Sequence, residues 1–380
     1  MVTPICSSET LDPLIESIKE VREVCLDLEA DSLYHYFEKV CLLQFTISKD
    51  DPADAAHFLI DPLANFELKP LFEVLKNKLL IIHGADYDLR LLWAKFRFSP
   101  TAIFDTMFAA RLAGHTKFGL DALVQRYTGY QLDHGAQKAD WSQRPLPQRL
   151  LSYAVNDTRF LPILTQKLRE ELTALGRVEW HHEQCQQLIE ISAVDHRKDP
   201  VENWRIRNSS TLDRRSLAVL RELWKWRDKE AQRIDRPVYM IWHDQKLLEF
   251  VKWIFSHPHH NLESCPLLSK RWLSSRKHAL EITLKRAWEL PASEWPLPVP
   301  RGKRPIYDPE FNRHLKQLRL VRDKVGETFQ LEPSILAPQA MLEAIVLCKP
   351  KRLEDFALIQ KWLPWQTKLL GQIFLDALKS

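Results

Sequence analysis

Two carboxylates close the stretch EVCLDLEADSLYHY at residues 23–36. The apolar run Val24-Cys25-Leu26 reads as a buried strand leading into Asp27-Leu28-Glu29. Strand side chains alternate, so Asp27 and Glu29 face one side. Two like charges there are tolerable only with solvent, a proton or a cation between them. Three further segments supply oxygen ligands: HGADYDLRLL (83–92) with Asp86 and Asp88, IFDTMFAARL (103–112) with Asp105, and LLSYAVNDTRFLPIL (150–164) with Tyr153 and Asp157. The last two residues are four apart and stack on one helix face, amid Leu150, Leu151, Leu161 and Leu164.

Taken singly, each feature has a structural reading: a strand-end pair, a helix cap at Asp88, a surface Tyr–Asp pair. Together, Asp27, Glu29, Asp88 and Asp157 form an oxygen-only set without a cysteine or histidine cluster. Such a set suits hard cations, Mg²⁺ or Mn²⁺. Two such ions can bracket a phosphodiester, one activating a water and the other stabilising the leaving oxygen, while a tyrosine orients the water.

The elements that must position these groups read as an α/β pattern over the first ~190 residues. Residues 11–20 are expected to be helical, Val24–Leu28, Val40–Ile47 and His57–Ile60 to be strands, and 66–78 a helix. A short strand at 79–82, a helix at 88–96 and a strand at 102–106 follow, with Asp105 or Thr106 near the next helix cap. Helices are expected at 120–127 and from Pro147 to about Leu175. Hairpin-like strands first and crossover helices later imply a mixed sheet. Beyond about residue 195 the pattern is helical: 209–237, begun by a Ser/Thr cap and stopped by Pro237, then 243–258 and 273–290. The Pro-rich 291–305 reads as a linker to a second helical set that reaches the C-terminus.

The 380 residues suggest two or three domains. Apolar residues make up 45% and charged residues 27%, as in soluble globular proteins. The net charge is +4, a mild bias whose distribution says more. Residues 197–236 carry 12 Lys/Arg against 7 Asp/Glu, and 301–324 carry 8 against 3. Six cysteines without C-x-x-C spacing read as reduced core residues of a cytoplasmic protein. The N-terminus lacks a signal-peptide pattern, and no run approaches the ~18 apolar residues of a membrane span, so no membrane association is expected. None of the nine glycines forms a phosphate-cradling loop, which argues against a P-loop or dinucleotide enzyme.

The order Asp-x-Glu on a first strand, Asp at a helix start, then Tyr-x-x-x-Asp resembles the DEDDy 3′–5′ exonucleases. The nearer likeness is to ribonuclease D and its eukaryotic exosome-associated relatives. It is carried by LDLEADSLYHYFEKVCLLQFTIS, HGADYDLRLL, FDTMFAARLAG and KADWSQRPLPQRLLSYAVNDTRFLPIL. WRDKEAQRIDRPVYMIWHDQKLLEF resembles the HRDC domain, and 309–378 resembles a second such module. The resemblance implies a ribonuclease H-like (DnaQ-like) exonuclease fold followed by two all-helical HRDC-like domains: 1–195, 205–290 and 305–380. It implies that Asp27 bridges two divalent cations, that Glu29 and Asp157 complete the first site, that Asp88 serves the second, and that Tyr153 positions the water. His83, Gly84 and Asp105 match structural positions of the family, and Gln44 and Phe45 lie near where relatives meet the terminal nucleotide. Leu28 stands where many bacterial relatives carry Thr; it points to the other strand face. ADSLYHY is nearer to the eukaryotic relatives.

The expectation is hydrolysis of RNA with a free 3′ end, tRNA precursors and small RNAs among the substrates, to nucleoside 5′-monophosphates, by a cytoplasmic monomer. The helical modules would supply cations such as Arg205, Arg207, Arg214, Arg215 and Lys225, with Trp204, Trp226 and Trp242 as stacking surfaces or core. A 3′–5′ DNA exonuclease is the rival within the class, since no residue displays a 2′-hydroxyl contact. A catalytically silent RNA-binding protein is the rival outside it. His57, His115 and His134 suggest no triad.

Overall fold

The structure, a computed structural model, describes residues 3–49, 51, 54–133, 135–194, 202–258, 261–298 and 309–379. His134 and the linker from 299 onward lie outside these residues. The chain forms two compact units, one from 1–30, 39–195 and 307–380, the other from 31–38 and 196–306.

The first unit is built on a five-stranded sheet ordered β3-β2-β1-β4-β5. Its strands are β1 (Glu23–Ala30), β2 (Val40–Ile47), β3 (Ala56–Ile60), β4 (Leu79–Ile82) and β5 (Ala102–Asp105). β1 pairs antiparallel with β2 and parallel with β4, which makes the sheet mixed, as the strand spacing implies. β2 is buried along its whole length, the pattern of a strand covered on both faces. One face packs on α1 (Ser8–Lys19), α2 (Lys69–Leu75) and α3 (Asp86–Phe96) through Leu14, Leu71 and Leu92. The other face carries α4 (Thr106–Leu112), α5 (Leu120–Thr128), α6 (Gln148–Arg159) and α7 (Leu161–Ala174), whose Leu123, Leu151 and Leu164 complete the layer.

The helix expected from Pro147 to Leu175 is two helices. Phe160 ends α6, and Pro162 sits in the first turn of α7, where its missing N–H costs no hydrogen bond. A further helix, α8 (Val178–Ser192), has no separate sequence assignment. It buries Cys185, Leu188 and Ile189 in the sheet core, and its apolar stripe is interrupted by polar residues.

The C-terminal helices belong to this same unit. α8 and the C-terminal set meet through Trp180 stacked on Trp365 at 4.7 Å, and the Trp365 backbone N–H donates to the Glu183 carboxylate at 2.8 Å. The buried Arg177 guanidinium donates to the Leu112 and Phe329 carbonyls, at 2.6 Å each.

The second unit is helical: α9 (Arg214–Arg233), α10 (Val238–Ile241), α11 (Asp244–Ser256) and α12 (Lys270–Glu289). The helix expected over 209–237 starts later, at an Asp213 cap whose carboxylate accepts from Ser216 N. The Ser/Thr residues form a 3-10 turn instead. Trp204 and Trp242 are 3% and 2% exposed and pack with Leu220 and Phe250, so they are core and not stacking platforms. Trp226 packs edge-on against Trp242 and Trp272. Several of the expected cations are engaged within the unit: Arg205 by Glu202 and the Leu297 carbonyl, Arg214 by the Ala292 and Trp295 carbonyls, Lys225 by Glu222. Segment 31–38 also belongs to this unit, where Asp235 accepts from Tyr36 N and Phe37 N and pairs with His35 at 2.7 Å.

No helix of the described residues is long and apolar enough to cross a membrane.

Candidate active site

β1 brings Asp27 and Glu29 to the face that carries α6. The ladder pairs Asp27 with Gln44 and Glu29 with Leu42, and the register shifts between Glu29 and Ala30. α6 presents Tyr153 and Asp157 toward the same place, one turn apart. Carboxylate oxygens of Asp27, Glu29 and Asp157 lie within 4.8 Å of one another. They line a cleft of about 390 Å³ with Tyr153, His83, Gln137 and the start of α5.

Asp88 lies in the first turn of α3 and is 6% exposed. It is not the N-cap: that position is Ala85, which has no side chain to bond the helix start. Asp105 does the fastening, accepting from Gly84 N at 3.0 Å, Ala85 N at 2.8 Å, Met107 N at 2.8 Å and Phe108 N at 3.1 Å. Gly84 permits the turn with φ +76°, in the left-handed region. The structure therefore gathers Asp27, Glu29 and Asp157 as ligand atoms, with Asp88 outside that set but close enough to act on the charge of Glu29.

The electrostatics are those of an acid cluster without a counter-charge. Burial, then Asp27, Asp157 and Asp88, pushes Glu29 up to about 10. Burial pushes Asp27 up to about 7, and burial with Asp27 raises Asp157 to about 9. Asp88 is raised well above the carboxylate range by burial and Asp27. Burial and the neighbouring Asp157 raise the Tyr153 phenol, which stays protonated at neutral pH. None of the residues lining the cleft is Lys or Arg. Protons or cations must balance these carboxylates, and a donor set of oxygens alone fits hard divalent ions.

A larger cavity, about 1180 Å³, opens beside α7 at the other end of β1. Its Arg22, Lys49 and Arg169 are matched by Glu20, Glu23 and Glu170, and it contains none of the four acids. The carboxylates, and not the volume, mark the site.

Asp121, Asp133 and Gln137 also line the cleft. They come from α5 and the loop before α6, and no spacing in the sequence ties them to the acids. Gln44 is fully buried across from Asp27, and its amide makes no hydrogen bond among the described residues. Phe45 turns to the opposite core. His57 bonds Thr46, and His115 is held by Glu171 and Tyr127, away from any nucleophile.

A 3′–5′ exonuclease family model matches residues 2–173, and an HRDC domain model matches 216–274. Ribonuclease D of Gluconacetobacter diazotrophicus is 32% identical over 249 residues, covering 64% of this chain and 61% of that protein. Ribonuclease D of Granulibacter bethesdensis is 33% identical over 251 residues, covering 65% and 62%. The aligned region thus spans a little under two thirds of these relatives' own length. A protein from Bifidobacterium adolescentis of known crystal structure superposes with a TM-score of 0.83 at 22% identity, over 100% of this chain and 97% of that one. Escherichia coli RNase D, an exoribonuclease involved in structured RNA processing, superposes with a TM-score of 0.74 at 23% identity, over 100% and 99%. The likeness in fold extends over the mixed sheet and both helical sets. With a ribonuclease H-like (DnaQ-like) exonuclease core followed by helical HRDC-like domains, the chain belongs to the ribonuclease D family.

Proposed function

We propose that this protein is a metal-dependent 3′–5′ exoribonuclease that removes nucleoside 5′-monophosphates from RNA with a free 3′ end. The observation that carries the reading is the convergence of Asp27, Glu29 and Asp157 on one cleft, with Tyr153 lining the same cleft and Asp88 near enough to act on the charge of Glu29. The ribonuclease D relatives support RNA as the substrate.

In this reading Asp27, Glu29, Asp88 and Asp157 hold two divalent cations, Mg²⁺ or Mn²⁺. Such ions supply water activation and charge neutralisation in phosphodiester hydrolysis. The residues' own part is to place oxygen ligands, exclude competing cationic side chains and orient the attacking water. The neutral Tyr153 O–H is suited to the last task, one helical turn from Asp157. Addition of water breaks the P–O3′ bond. The phosphate leaves with the released nucleotide, and the shortened chain keeps a 3′-hydroxyl ready for the next turn.

tRNA precursors and other small structured RNAs are the proposed natural substrates, acted on by a monomer in the cytoplasm, which the six free cysteines suit. The proposed domains are an exonuclease at 1–195, an HRDC domain at 205–290 and a second HRDC-like domain at 305–380; the boundaries 195 and 305 fall outside the described residues.

The test uses purified protein and a 5′-labelled structured RNA with a short unpaired 3′ tail, beside a matched DNA. A stepwise ladder with Mg²⁺ or Mn²⁺, abolished by chelator and by Asp27→Asn, supports the reading. A ladder on DNA alone points to a DNA exonuclease. Tight RNA binding without a ladder under any metal points to a silent binding protein.

A further inference from the structure

We propose that Arg144 is a positioning residue for the hydrolysis: it clamps the loop before α6 onto β2 and the end of β3, and through that loop it sets the Tyr153 phenol in the cleft. The inference rests on the exonuclease reading and adds to it the device that holds the residue assigned to the attacking water.

Residues 129–147 join α5 to α6, and none of the described ones lies in a helix or strand. A segment longer than ~12–15 residues without an element of its own has no backbone ladder to fix it. Side chains must do so where a function needs a fixed position. This loop brings Asp133 and Gln137 to the lining of the cleft.

Arg144 does the fixing. Its Nε donates to one Asp61 carboxylate oxygen at 2.6 Å and its Nη2 to the other at 2.6 Å. A planar fork on a carboxylate makes two charge-assisted bonds and fixes direction as well as distance. The same Nη2 donates to the Cys41 carbonyl at 2.7 Å, and Nη1 donates to the Trp141 and Gln143 carbonyls, at 2.8 Å each. Asp61 is held in turn. Its N–H donates to the Ile5 carbonyl at 3.0 Å, and its carboxylate accepts from Leu63 N at 3.0 Å. Cys41 stands on β2 one residue before Leu42, the ladder partner of Glu29. The guanidinium thus joins the loop to the strand beside the acids.

Trp141 carries the constraint to α6. It is 1% exposed and packs with Leu150, Leu151 and Ala154. Its ring centroid lies 6.1 Å from that of Tyr153, so the indole backs the phenol ring. Gln137, from the same loop, lines the cleft with Tyr153, and its amide offers the phenol oxygen a hydrogen bond. A donor at that oxygen leaves the phenol's own proton for the water. Arg144 and Trp141 are not among the residues lining the cleft, so their effect on the reaction passes through Tyr153.

The experiment is a double-mutant cycle on the full chain with Mg²⁺ and a labelled RNA, under single-turnover conditions, with Tm measured for each variant. Arg144→Met is expected to lower kcat by roughly tenfold or more with little change in KM, because the phenol is misplaced. The loss should not exceed that of Tyr153→Phe. In the Tyr153→Phe background, Arg144→Met should lower kcat by less than about twofold. A clamp that serves folding alone would lower Tm and leave the two losses to multiply. Where Arg144→Met does not fold, Asp61→Asn, which weakens the fork but keeps one acceptor, goes through the same cycle. An unchanged kcat in a folded clamp variant, multiplied losses in the double variant, or a Tyr153→Phe as active as the wild type overturns the assignment. No hydrolysis by the wild-type protein instead removes the exonuclease reading on which the assignment stands.

Discussion

Asp105 and Ala85 are joined by a 2.8 Å hydrogen bond from the Ala85 N–H to a fully buried carboxylate. The bond ties the end of β5 to the first turn of α3, and so the placement of Asp88 depends on a residue that touches no reacting atom. Asp105→Ala orphans the four N–H groups its carboxylate serves, at Gly84, Ala85, Met107 and Phe108. The expected cost is about 3 kcal/mol of folding stability, read as a lowered midpoint in urea at unchanged slope. Retention of wild-type stability would contradict this account of the turn.

The acid cluster predicts a definite pH dependence in chelator. Glu29 rises from an ordinary 4.5 to about 10, Asp157 from 3.8 to about 9 and Asp27 from 3.8 to about 7. The folded state therefore binds more protons than the unfolded chain across this range. Stability is greatest below about pH 4 as far as these groups are concerned, and it falls as pH climbs toward their raised values. Thermal unfolding from pH 5 to 9 should show Tm falling with pH in EDTA. Added Mg²⁺ or Mn²⁺ should flatten the fall, with the largest gain at the alkaline end. A Tm that climbs with pH in EDTA would show that the carboxylates are balanced by something else.

Removing single acids separates chemistry from folding. Asp27→Asn or Asp157→Asn should lower kcat by about 10³-fold or more in Mg²⁺, because the charge that offsets the transition state is lost. The same changes should leave Tm in chelator unchanged or higher, since each relieves a repulsion. An equal loss of activity and stability would assign these residues to folding.

Tyr153→Phe deletes one hydroxyl from a wall of the cleft. Loss of a group that orients water in the transition state should lower kcat by about 10²-fold with little change in KM. A raised KM at normal kcat would move Tyr153 from the chemistry to substrate binding.

The stacked pair Trp180 and Trp365 predicts that the C-terminal helices and the α/β core unfold together. Trp365 is almost wholly buried, and Trp365→Ala should cost roughly 3–5 kcal/mol. Hydrogen exchange should lose protection in α8 and the C-terminal helices alike. Loosening confined to the C-terminal helices would show that they fold apart from the core.

The acids were legible in the sequence because strand and helix periods announce themselves locally. Asp27 and Glu29 are two apart in a strand, Tyr153 and Asp157 four apart in a helix, and both pairs face the cleft. The sheet order was less accessible, but Asp105 as a cap could be read from its place before an apolar helical run. What could not be read is what depends on contacts distant in sequence. Asp121, Asp133 and Gln137 reach the cleft from segments without periodic ties to it. The break at Phe160 was hidden because Leu161 and Leu164 continue an apolar pattern through it. Trp204 and Trp242 were open to either stacking or core in the sequence, since composition does not reveal which aromatic side chains a small helical core absorbs. The contact of His83 with Thr106 spans 23 positions.

The pairing of Asp27 with Gln44 also limits how this chain can vary. One residue inserted into β1 ahead of Asp27 would swing both acids into the apolar layer beneath the sheet, among Leu14, Leu71 and Leu92, and raise Leu26 and Leu28 into the cleft. Two inserted residues would restore the facing and shift the acids by one pleat. Length changes in this strand are thus governed by parity. The loops beyond it carry no such restriction, so viable homologues are expected to differ there by any number of residues and within β1 by even numbers or none.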